Sequence, residues 1–106
     1  MRKNESILCF LEPARLAMLT EGPASEEAET ASRHFAHLQD LTEKDVMILM
    51  GRTQNSDEST FGIAIFEAED ESAARMIMEA DPAVAGGVMR ADLYPYKIAL
   101  MRGQSI

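Results

Sequence analysis

Four stretches of this chain carry the apolar pattern of strands and two carry that of helices. Ser6–Leu11 (SILCFL), Val46–Met50 (VMILM) and Phe61–Phe66 (FGIAIF) are near-continuous apolar runs of strand length. Val88–Tyr96 instead alternates, with Met89, Ala91 and Leu93 on one face and Arg90, Asp92 and Tyr94 on the other. Ser25–Thr42 has helical period: at about 100° per residue, Ala28, Ala31, Phe35 and Leu38 share one quadrant, the arc expected to face a sheet. Ser25 is its expected cap, with Glu26 and Glu27 in the first turn, and Ala28 breaks the full capping box. The second helix is DESAARMIMEA, capped by Asp70, with Ala73, Met76, Ile77 and Ala80 at three- and four-residue spacing. It should stop at Asp81-Pro82, because the residue before a proline is pushed out of the helical region.

The linkers follow from their turn residues. The first strand is expected to end at Glu12-Pro13, where the ring removes a ladder donor. Pro13–Ala24 has no clean period and contains Gly22-Pro23, so it reads as a long loop with at most one helical turn. Gly51–Thr60 is polar around Asn-Ser-Asp and joins the second and third strands as a long hairpin. A short turn with Gly86-Gly87 leads into the last strand, and the tail from Arg102 reads as loose. The order β-α-β-β-α-β is that of the ferredoxin-like split βαβ fold: an α+β domain over residues 1–106, four antiparallel strands with both helices on one face. In such a fold the far sheet face should be polar, yet the first three strands are apolar at nearly every position. A second copy of the chain, packed sheet against sheet about a two-fold axis, is the economical cover, with Ile63 and Ile65 as candidate contacts.

Composition narrows the partners. With 18 acidic against 10 basic residues the net charge is −8, which disfavours nucleic-acid backbones and anionic membrane surfaces. No segment has the apolar length to span a membrane, and the N-terminal MRKNESILCFLE lacks the hydrophobic length and cleavage site of a signal peptide. The single cysteine, Cys9, excludes an internal disulfide and fits a reducing compartment, so a cytoplasmic location is expected, with Cys9 in a packing role. The eight methionines fall mostly in the strands and helices, as adaptable core filler.

The candidate chemistry centres on the first helix. His34 lies about 60° from the centre of the apolar arc and His37 about 120°, so His34 should be half buried and His37 mostly wet. An imidazole at the edge of a core titrates near neutral pH, and its surroundings set it as acid or base. Asp81, held extended by Pro82 at the end of the second helix, is the partner that the assumed fold brings alongside. A carboxylate on one ring nitrogen fixes the tautomer and leaves the other nitrogen free to move a proton. His34, His37 and Asp81 are too few for a zinc site, with the only thiol on a strand, so no metal is expected. His37 with Asp40 reads as an exposed i, i+3 pair, and Arg15 as solvated surface with a possible ligand contact. Gly86-Gly87 precedes a strand and is no phosphate cradle.

Two stretches resemble a known family, the YCII-related (YciI-like) domain. Arg33-His34-Phe35-Ala36-His37-Leu38-Gln39 is similar to its first-helix motif, and Glu79-Ala80-Asp81-Pro82-Ala83-Val84-Ala85-Gly86-Gly87-Val88 to its second-helix exit, with the likeness running from Ile7 to Lys97 and including Gly51 and Pro95. The resemblance implies a ferredoxin-like fold of the dimeric α/β-barrel type and an active-site His-Asp pair, here His34 and Asp81. Few members have an assigned reaction, and one is similar to a dehydrochlorinase acting on a hydroxylated aromatic. Three positions depart from the family pattern. Ala83 stands where an aromatic follows Asp-Pro, opening room beside the site. Gly51-Arg52 replaces Gly-Pro and puts a guanidinium at the mouth, suited to an anionic group. Lys44-Asp45 replaces a glycine before the second strand, a change confined to the turn. Two functional readings stand side by side. One is a cofactor-independent enzyme in which His34 and Asp81 act as general acid/base on a small, aromatic or anionic molecule, with Gly51, Arg52 and Pro82 as substrate contacts. The other is a non-catalytic ligand-binding or assembly module with the same pocket.

Overall fold

The structure, a computed structural model, describes residues 5–14, 24–55 and 57–103. Four strands, β1 (Glu5–Pro13), β2 (Met47–Arg52), β3 (Gly62–Ala68) and β4 (Met89–Pro95), form one antiparallel sheet in the order β2-β3-β1-β4. Among the described residues three helices, α1 (Ser25–Glu43), α2 (Glu71–Glu79) and α3 (Pro82–Ala85), complete an α+β fold compatible with the ferredoxin-like pattern. Expected Pro13–Ala24 loop residues 15–23, and Arg15 with them, lie outside the described residues.

Register assigns the two faces. Cys9 lies opposite Ala64 on β3 and Leu93 on β4, and Ile7 opposite Phe66; these side chains point to the helices and join Leu38, Ala74 and Met78 in the core. Leu8 opposite Ile65 and Tyr94, and Phe10 opposite Ile63 and Asp92, occupy the other face. No helix covers it. Phe10 and Phe61 stack there at 5.0 Å between ring centroids, Leu49 and Tyr94 are exposed, and Glu12–Arg90 at 3.6 Å marks its polar edge.

Several boundaries differ from expectation. β1 continues through Pro13, which pairs with Met89, and Ala14 N–H donates to the Val88 carbonyl at 2.9 Å. The proline is tolerated because β1–β3 pairing stops at Leu11, so the missing N–H faces a side with no strand left to bond. α1 is capped one residue early: Ala24 is the N-cap, and its N–H donates to Glu27 Oε1 at 2.8 Å, so Glu27 takes over the cap expected of Ser25. α1 is also turned by about 60° from the apolar arc, leaving Ala28 and Phe35 exposed (Phe35 at 57%) while His34 and Leu38 are buried. α2 starts as expected, with Ala73 N–H donating to Asp70 Oδ1 at 2.8 Å, but it buries Ala74 and Met78 and leaves Met76 and Ala80 exposed. The Gly86-Gly87 turn is preceded by the short helix α3, absent from the sequence reading.

α1 and α3 end alike. Val46 N–H reaches the Leu41 carbonyl and Asp45 N–H that of Thr42; Val88 N–H reaches Ala83 and Gly87 N–H reaches Val84. This is the paired Schellman closure, which needs a left-handed residue after the cap. Gly87 supplies it at φ 74° and Asp45 at φ 62°. The Lys44-Asp45 departure therefore keeps the glycine-like turn on an aspartate.

Candidate active site

His34 projects from the middle of α1 and is 8% exposed; Asp81, between α2 and α3, is fully buried. His34 Nδ1 lies 2.5 Å from Asp81 Oδ2, and the other carboxylate oxygen, Oδ1, accepts from Ala83 N–H at 3.0 Å. Asp81 is therefore also the N-cap of α3, with Pro82 in the first helical turn, where its missing N–H costs nothing. Both oxygens are held. With the carboxylate accepting, Nδ1 carries the ring proton and Nε2 presents its lone pair, bonded to no described residue. A neutral imidazole so fixed can take a proton at Nε2 from a bound molecule, and the resulting cation can return it.

Cys9 lies in the core on the helix-facing side of β1. Burial foremost, then the negative charges of Asp81 and Asp92, push its thiol up from 9.0 to about 12. It is a packing group, not a nucleophile.

His34 is thus buried rather than half buried. The apolar arc misjudged it because a helical wheel weights hydrophobic side chains, and an imidazole paired with a buried carboxylate is drawn inward against that weighting. His37 is half buried rather than wet, with Nε2 enclosed and without a hydrogen-bond partner among the described residues. Asp40 does not pair with it but with Lys44 Nζ at 2.9 Å, an exposed i, i+4 contact. Of the expected substrate contacts, Pro82 is half buried beside Asp81, while Gly51 and Arg52 are exposed at the end of β2. Arg52 stands opposite Gly62, on the helix-facing register, and Nη1 donates to the Thr53 carbonyl at 3.4 Å. Ala83 is fully buried, so the position that departs from the family aromatic is an enclosed one. The sequence reading missed the capping role of Asp81; an Asp followed by Pro is an N-cap with proline at the first helical position, and that was the available signal.

A small α+β domain with an imidazole–carboxylate pair locked between its first helix and the turn after its second is the pattern these elements define. The chain belongs to the YCII-related domain family, whose model matches residues 7–97. It is similar in fold to 5-chloro-2-hydroxyhydroquinone dehydrochlorinase (TftG) from Burkholderia phenoliruptrix AC1100, solved in complex with 2,5-dihydroxybenzoquinone: TM-score 0.62, 19% identity, covering 86% of this chain and 93% of that one. No curated protein matches its sequence. Among the described residues no helix is long and apolar enough to cross a membrane.

Proposed function

We propose that this protein is a small cofactor-independent enzyme in which His34, oriented by Asp81, moves a proton on a small hydroxylated ring compound during elimination, isomerisation or hydrolysis. The observation that carries this reading is the buried 2.5 Å contact between His34 Nδ1 and Asp81 Oδ2, with Nε2 bonded to none of the described residues. A carboxylate with both oxygens engaged is a rigid orienter, and an oriented imidazole contributes about 10²–10⁴-fold to proton transfer. TftG was solved with a dihydroxybenzoquinone, which makes this ring class the first to try here. Arg52 adds a guanidinium beside Gly51 that suits a phenolate or ring carboxylate, and Pro82 shapes the Asp81 side of the site. The working form is a homodimer, joined through the sheet face that carries Leu8, Phe10 and Ile63, in a reducing, cytoplasmic setting that keeps Cys9 a thiol.

The test is deuterium exchange into the ring C–H positions of 2,5-dihydroxybenzoquinone and related hydroxyquinones, followed by NMR with catalytic protein. Exchange above the buffer rate that drops by about 10²–10⁴-fold in His34→Gln supports the reading. Exchange that survives His34→Gln, or ligand binding without any exchange or turnover across the series, moves the protein to the binding-module reading.

A further inference from the structure

β2 carries an irregularity that decides which side of the sheet its last residue serves. Met47 stands opposite Phe66 on the helix-facing register, and under regular alternation Leu49 and Gly51 would follow it there. The register instead shifts between Met47 and Leu49, so that Leu49 pairs with Ile65 while Met50 and Arg52 stand opposite Ala64 and Gly62. An extra residue in one strand reverses the parity of everything after it. The bulge thus puts Arg52 on the sheet face shared with His34 and Asp81.

The same row fixes the end of the sheet at which Arg52 lies. Gly62 pairs with Leu11 and Leu11 with Ala91, close to where β4 enters at Met89 opposite Pro13. α3, capped by Asp81, leads into that entry, and Ala14 N–H donates to the Val88 carbonyl there at 2.9 Å. α1, which carries His34, packs against both α3 and β2. Arg52 and the His34–Asp81 pair therefore share one end of one face.

Charge separates the two ends of such a site. Arg33 pairs with Glu29, Lys44 with Asp40 and Arg90 with Glu12, whereas Arg52 meets no carboxylate among the described residues. In a chain of net charge −8, an exposed and unpaired guanidinium on this face is where an anion finds attraction. Asp81 sets the opposite condition, since a buried carboxylate disfavours a second negative charge beside it.

We propose that the site takes a ring acid, a hydroxylated aromatic carboxylate whose carboxylate is met by Arg52 at the exposed rim while a ring C–H lies at His34 Nε2. A carboxylate suits Arg52 better than a phenolate does: its two oxygens match the guanidinium fork, and it is charged at neutral pH, where a phenol with a pKa of about 10 is not. At the rim it also keeps part of its hydration. This inference rests on the proton-transfer reading above and adds the group that orients the substrate.

The experiment compares 2,5-dihydroxybenzoate with its neutral amide, 2,5-dihydroxybenzamide, by NMR titration of the wild type, Arg52→Gln and Arg52→Lys. The wild type should bind the acid about tenfold more tightly than the amide, and Arg52→Gln should bring that ratio to about one. Arg52→Lys should restore part of the preference, because an ammonium keeps the charge and loses the fork. A wild type that binds neither compound or does not prefer the acid, or a preference that survives Arg52→Gln, overturns the inference. Ring C–H exchange in the same samples keeps the two readings apart. An Arg52-dependent preference without His34-dependent exchange upholds the anion contact and removes the proton transfer, while His34-dependent exchange of 2,5-dihydroxybenzoquinone without any preference for the acid does the reverse.

Discussion

Asp81 serves two neighbours, and its substitutions separate by which of them they disturb. Asp81→Asn keeps an acceptor for Ala83 N–H but offers His34 a weaker and differently disposed partner, so proton transfer should fall in the direction of His34→Gln. The double variant should lose much less than the product of the two single losses, because the pair works as one unit; the exchange rates of the four proteins measure this. Removing the imidazole outright is a different matter. His34→Leu leaves a buried carboxylate with its Oδ2 unmet, a situation that costs roughly 3–5 kcal/mol, so His34→Gln, which retains a donor, is the cleaner probe of chemistry. His37→Gln is not the silent control that a wet ring would have provided, since His37 Nε2 is enclosed and has no hydrogen-bond partner among the described residues. Cys9 gives a second residue-scale expectation. Its thiol is held up at about 12 chiefly by burial, so the folded state binds that proton more tightly than the unfolded one. The resulting stabilisation is complete below the ordinary thiol value and is lost as pH climbs from about 9 towards about 12. Native protein at pH 8.5 should resist iodoacetamide, and urea-unfolded protein should be alkylated; mass spectrometry of the two samples decides it.

Elements were legible where their signals are local. Asp70 announced α2 because an aspartate before an apolar-periodic run has one good use there, and Gly51 and the Asn-Ser-Asp cluster fixed the hairpin between β2 and β3. The rotation of α1 was not legible. Its apolar residues, Ala28 and Phe35 among them, outvote the polar His34 on a wheel, and only the buried Asp81 on another element reverses the vote. The passage of β1 through Pro13 was hidden for a similar reason, since it depends on where β3 ends rather than on anything in β1. The α1–β2 turn yields a stability prediction. Asp45 sits at φ 62°, where a side chain crowds the backbone and glycine does not, so Asp45→Gly should stabilise the protein by about 0.5–1 kcal/mol in urea denaturation. A loss of stability would mean that the Asp45 side chain makes the turn.

For the molecule as a whole, the sequence was most informative about what the sheet lacks. Ser6–Leu11 and Phe61–Phe66 are apolar on both parities, and the structure accordingly leaves Phe10 and Ile63 half exposed on a face that no helix of the described residues covers. Charge placed there should be decisive: Ile63→Lys should leave a folded monomer where the wild type sediments as a dimer, because a buried unpaired ammonium is not tolerated at such an interface. A wild-type monomer at micromolar concentration would sink the sheet-to-sheet pairing.

The capping role of Asp81 has a bearing on how relatives of this protein should be read. Because α3 needs that carboxylate whether or not any proton is ever moved, a relative with no catalytic role would still be under pressure to keep it. Its histidine would drift first. Among proteins of this lineage, then, the Asp-Pro signature reports on the capped turn, and under the proposed function the residue at the position of His34 reports on proton transfer.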